Sequence, residues 1–165
     1  MVELLLAILG LGIVAALVST YLGNARGAAQ EAAAIATLRA INAAQTAYAS
    51  GCASAGFAQS LNDLGRVPAE GGHAFIPPDL AANGAQRDGY VFTMQVDTGS
   101  TIVTPVSRVC NAPAKHAMSG YFVSATPAAA GTRLRTFATD KRRVIYARED
   151  GIAVSPGMYG AVPLQ

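Results

Sequence analysis

The first fifty residues limit what this chain can fold into more than any other part of it. From Leu4 to Val18 no side chain is polar, and Ser19-Thr20-Tyr21-Leu22 extends the run to the length needed to span hydrocarbon. A single acid, Glu3, stands directly in front of it. Beyond the run comes "GNARGAAQEAAAIATLRAINAAQTAYASG", rich in helix formers and free of proline. Ile35, Leu38, Ile41 and Tyr48 recur on one side of a helix, with Gln45 interrupting the stripe, and Gly51 is placed to end it. The two stretches read as one helix from near the start to about Ser50, roughly 70 Å long. Its remaining face is almost entirely alanine, which water tolerates and which lets other helices approach closely. An a/d heptad pattern is not sustained, so a coiled coil is the weaker reading.

Each central Leu, Ile or Val favours insertion by about 0.3–0.6 kcal/mol, and an acid at the centre opposes it by about 2.5–3.5. The aliphatic residues therefore outweigh Glu3, which lies at one end. A cleaved signal peptide fits poorly, because a basic leading segment is missing and the run continues into helical sequence. Gly10 and Gly12 each weaken helix by about 1 kcal/mol relative to alanine, which permits close packing or local unwinding.

At 165 residues the chain has room for one domain with an appendage. It divides into an apolar helix at 1–22, an amphipathic continuation at 23–51 and a globular head at 52–165. A formal charge of +2 is too small to argue for a nucleic-acid binder. From Pro105 onward eight Lys or Arg face three acids, a mildly basic stretch. Two cysteines, Cys52 and Cys110, are consistent with one disulfide in an oxidising compartment, free buried thiols being the alternative.

In the head, "GFAQSLNDLG" holds one short helical turn, and "RVPAEGGHAFIPPDLAANGAQRDG" reads as loop. Strand-like runs follow at 90–96, 100–106, 120–127, 134–140 and 143–149. Asp97-Thr98-Gly99 suits a hairpin, and Asp140-Lys141-Arg142 another. The expected fold is α+β, a long N-terminal helix packed on a small antiparallel sheet.

At this point the chain resembles the type IV pilins and the related pseudopilins. The resemblance rests on "VELLLAILGLGIVAAL" followed by "NARGAAQEAAAIATLRAINAAQTAYAS", and more weakly on "GYFVSATP" and "RTFATD". In that family a glutamate precedes a long hydrophobic helix and a glycine follows it by nine residues, the spacing of Glu3 and Gly12. The resemblance implies an extracellular filament with an inner-membrane pool before assembly. It also implies a prepilin peptidase and an inner-membrane assembly platform as partners. Assembly would bury the N-terminal helices and pair Glu3 with a neighbour's N-terminal ammonium. Family members carry a methylated residue four positions before the glutamate, whereas Met1 and Val2 stand before Glu3 here. Many also have a proline near the end of the span, where this chain has Ser19 and Thr20. The expected assembly residues are Met1, Glu3, Gly10 and Gly12. A pseudopilin of a type II secretion system is the nearest alternative, and a membrane-anchored binding module that never polymerises is a third.

The sequence offers little for catalysis. His73 and His116 are isolated, no Ser-His-Asp set is arguable, and "GNARG" lacks the strand and Lys-Ser/Thr of a phosphate loop. Asp79 with Asp88, or Asp140 with Asp150, could in principle hold calcium but lack a dense run of ligands, so no metal is expected. Haem-attachment motifs are missing. The reading is a protein that is not an enzyme and needs no cofactor or metal. One further possibility is that Arg133, Arg135, Lys141, Arg142, Arg143 and Arg148 form a patch for DNA or another anionic surface.

Overall fold

In a computed structural model, backbone conformation is described for residues 2–129 and 131–164, and side chains for 25–129 and 131–164. Helix α1 runs without a break from Val2 to Gly51. Glu3, Gly10, Gly12 and the apolar run lie where side chains are outside the described residues, and Met1 lies wholly outside them. Among the described residues no helix is long and apolar enough to cross a membrane.

The second half of α1 is one layer of the head. Leu38, Ile41 and Tyr48 are fully buried and Ile35 is partly buried against the same core, with Ala34 beside it fully buried, so the helical stripe faces the core. Gln45, which breaks that stripe in the sequence, is equally buried. The chain then makes a short helix α2 (Leu61–Leu64), capped by the Ser60 side chain accepting from the Asp63 amide. A single 3-10 turn, Pro78–Leu80, lies within the loop that follows.

The other layer is a six-stranded antiparallel sheet. Its strands are β1 (Ala85–Arg87), β2 (Tyr90–Val96), β5 (Tyr121–Pro127), β6 (Thr136–Asp140), β7 (Ile145–Arg148) and β8 (Val162–Pro163), adjacent in that order. Between β2 and β5 the chain leaves the sheet to form a separate pair, β3 (Ile102–Thr104) with β4 (Ala117–Met118). Inward residues Tyr90, Phe92, Met94, Val123, Ala125 and Phe137 meet α1. All five residues of β6 are buried, because its outer face is covered too. There Phe122 and Ala138 pack under Val154 and Met158 of the C-terminal segment.

One expectation needs correction. Asp97-Thr98-Gly99 does turn, with the Ser100 amide donating to the Asp97 carbonyl at 3.2 Å, but it closes no hairpin. β2 pairs along its whole length with β5, from Tyr90↔Pro127 to Val96↔Tyr121. The run after the turn leaves Ile102 and Val103 exposed and ends at Pro105, whereas β5 buries four of its residues on the sheet. The longer and more apolar partner wins the edge of β2. α1 does end at Gly51, its last helical residue, and positive φ angles follow at Ser54 (46°) and Ala55 (74°). A Cβ at Gly51 would meet nothing within 4 Å. Gly51→Ala is therefore expected to stabilise the protein by about 0.5–1 kcal/mol, read as a rise of about 2–4 °C in thermal midpoint.

Candidate functional site

Polar side chains fasten α1 to the rest of the head at three points, and these define the surface left over for function. Nearest the N-terminus, Glu31 receives the Arg135 amide at 3.0 Å on Oε1, and the guanidinium Nε and Nη2 at 2.9 and 2.7 Å on Oε2. Burial alone would raise the Glu31 carboxyl. The hydrogen bonds and charge of Arg135 outweigh it and hold the group below its ordinary 4.5. A depressed carboxyl contributes stability that is present above pH 4.5 and is lost as pH falls through the folded value. Glu31→Gln is expected to cost about 1–2 kcal/mol near neutrality, because the pair is partly exposed. It is also expected to flatten the acid limb of a stability-against-pH curve from urea titrations.

Three turns further on, Asn42 donates from Nδ2 to Thr139 Oγ1 at 2.9 Å and accepts from the Tyr121 hydroxyl at 2.9 Å. The Thr139 hydroxyl in turn donates to the Val144 carbonyl at 2.9 Å. Burial pushes the Tyr121 phenol up, with Asp140 adding to this and Arg143 opposing it, so the hydroxyl stays a donor. Gln45 makes the third fastening: it accepts from the Ala58 amide and donates to the Ala58 carbonyl, both at 2.9 Å. It holds the segment after the helix as a strand neighbour would.

Cys52 and Cys110 form a disulfide that ties the end of α1 to the excursion between β2 and β5. The Cys110 amide also donates to the Cys52 carbonyl, and Phe57 bridges Met118 on β4. The thiols of the sequence reading are thus one bridge.

The six cations of the proposed patch do not form one surface. β6 and β7 pair Thr136 with Arg148, so Arg133, Arg135 and Arg148 stand at one end of that hairpin. Lys141, Arg142 and Arg143 stand at the other. Three of the six are neutralised: Arg135 by Glu31, Arg142 by Asp140 at 2.6 Å, and Arg148 by Asp150 at 2.7 Å. Arg135 and Arg142 also lie over the rings of Phe137 and Tyr146. Among the described residues, Lys141, Arg143 and Arg133 make no ion pair.

Lys141 and Arg143 rim a groove of about 470 Å³ beside the end of α1, with Thr46, Ser50, Phe57 and Tyr121 in its walls. Arg143 adopts φ 62° at the tight turn that aims it there. A second concavity of about 570 Å³ shares Thr46, Ser50 and Arg143 and adds Arg39, a cation that sequence reasoning left unassigned. The groove can hold a carboxylate or phosphate against an apolar wall.

Among the described residues no group of three or more His, Cys, Asp and Glu side chains could hold a metal ion. His116 Nδ1 instead accepts from the Val106 amide at 3.1 Å. Arg87 sits between Asp79 and Asp88, at 3.6 and 3.8 Å, while Asp140 and Asp150 are each taken by an arginine.

These features define an α+β protein in which one long helix supplies both a layer of the head and a rod leading away in sequence from it. Comparison with protein-family models, with characterised proteins and with solved structures found no match.

Proposed function

We propose that this chain is the structural subunit of an extracellular filament of the type IV pilin kind, with no catalytic role. The observation that carries the reading is the continuous helix Val2–Gly51, of which the second half packs on the sheet. The first half holds the apolar run and Glu3. A membrane stores such a segment, and a bundle of like segments buries it after extraction. The contact between copies is head to tail and does not close, which gives a helical polymer. In that dry core an unpaired Glu3 would cost several kcal/mol, so a neighbour's N-terminal ammonium sets axial register. The partners are further copies of the chain, the inner-membrane assembly platform with its peptidase, and the bilayer before assembly.

Electron microscopy of material sheared from the cell surface tests this reading. Long filaments containing the chain support it. Filaments confined to the periplasm would assign it to the pseudopilins, and a protein that is anchored but never polymeric would overturn it. Glu3→Ala is expected to cut filament yield at least tenfold, since the loss of several kcal/mol per contact repeats at every subunit. Wild-type yield would remove Glu3 from the assembly mechanism.

A further inference from the structure

The exposed ridge of α1 has flanks of opposite charge. On one side lie Arg39, Lys141 and Arg143 around the paired concavities, with Asp97 the nearby acid. On the other side a concavity of about 250 Å³ is lined by Ala33, Ala36, Thr37 and Ala40 of the helix together with Arg87 and Asp88. Asp79 reaches the same guanidinium, so two carboxylates share one arginine and leave that rim negative. Between the flanks the helix presents Ala36, Ala40, Ala43 and Ala47, whose small side chains allow a second helix to approach to about 8 Å.

We propose that this ridge is a contact between copies of the chain, in which the Asp79–Asp88 rim of one copy seats against the Lys141–Arg143 groove of the next. The proposal deepens the filament reading and rests on it. Three features select a second copy as the occupant. The two rims are complementary in charge. They border one helix, so a single lateral approach brings both to the contact. They also lie at different heights, about Ala36 on the acidic side and about Tyr48, between Thr46 and Ser50, on the basic side. Bringing them level shifts neighbouring copies by roughly 18 Å along the helix, about twelve residues at about 1.5 Å each. A contact that joins two different patches with an axial shift extends without closing.

Paired cysteines test it in the full-length chain expressed in its host. Asp79 and Lys141 lie on opposite flanks of α1, and the two native cysteines are already joined. The double variant D79C/K141C is expected to give a ladder of covalent multimers on a non-reducing gel, with neither single variant doing so. Dimers from K141C alone would mean a symmetric contact and overturn the proposal. Filaments on the surface without any ladder would overturn it while leaving the filament reading intact. A ladder without filaments would keep the contact and overturn the filament reading. Charge exchange guards against cysteine variants that fold poorly. K141E is expected to lower the yield of assembled material about tenfold, and K141E/D79K to restore it. An unchanged yield in K141E would overturn the proposal. So would loss of labelled-DNA retention in K141E with the yield of assembled material unchanged, which would assign the groove to nucleic acid.

Discussion

Replacing both bridge cysteines, as Cys52→Ala with Cys110→Ala, is expected to lower the unfolding free energy by about 4 kcal/mol. The bridge closes a loop of 58 residues, and in the chain-entropy model the benefit grows with the logarithm of that length. The local structure adds to the effect. The bond lies where α1 ends, beside Ser54 and Ala55 with their positive φ angles, and it pins the one segment of the head that leaves the main sheet. Cys52 is buried against Asn111, whose amide reaches the Asp63 carbonyl at 2.7 Å. Losing the bridge therefore frees α2 and the excursion together. Urea unfolding of the double variant, and of wild type with and without a reductant, checks this. The two routes should agree to within about 1 kcal/mol, and a loss below that size would show that the packing of the excursion holds it without the bond.

Gln45→Leu is expected to cost about 2–4 kcal/mol although it makes the helix stripe more apolar. A leucine fills much of the same space but leaves the Ala58 amide and carbonyl without their partners, and Ala58 is 2% exposed. Each buried backbone group left alone costs about 1–3 kcal/mol. Gln45→Glu separates this account from a simple loss of packing. Its carboxyl can donate to the Ala58 carbonyl when protonated and repels it when ionised, so its folded pKa lies above the unfolded one. Stability of that variant should be greatest in acid and fall as pH rises above the ordinary glutamate range. Thermal melts from pH 3 to pH 8 would show the slope, and a pH-independent deficit would overturn the account.

Gln45 also marks where sequence reading stops. Period and composition located α1, its inward stripe, β2, β5 and the turn at Asp140, since each signal is contained in a dozen residues. A lone glutamine on an apolar stripe looks like an interruption because its partner, the backbone of residue 58, has no side-chain signature. β1 and β8 went unread for a related reason: three and two residues long, they exist because β2 and β7 offer them an edge. The cations are a different case. Asp140 with Arg142, and Arg148 with Asp150, are two residues apart, and that spacing at a strand end was a legible sign of pairing. Glu31 and Arg135 are 104 residues apart and gave no such sign. Glu3, Gly10 and Gly12 are read from sequence and from resemblance, and their roles are carried by the filament experiments.

The long reach of the helix fastenings has a consequence for synthesis. Asn42 waits for Thr139, 97 residues later, and Glu31 waits for Arg135. Until β6 has been made, the sheet over Leu38 and Ile41 lacks the strand that carries Phe137 and Thr139. Contacts of such sequence separation form late and slowly. The head is therefore committed only when the last third of the chain has emerged, and a nascent chain ending before Thr136 carries an incompletely covered apolar helix face. Quality control that trims unfinished chains would find that face, which makes the C-terminal third the checkpoint for the N-terminal rod.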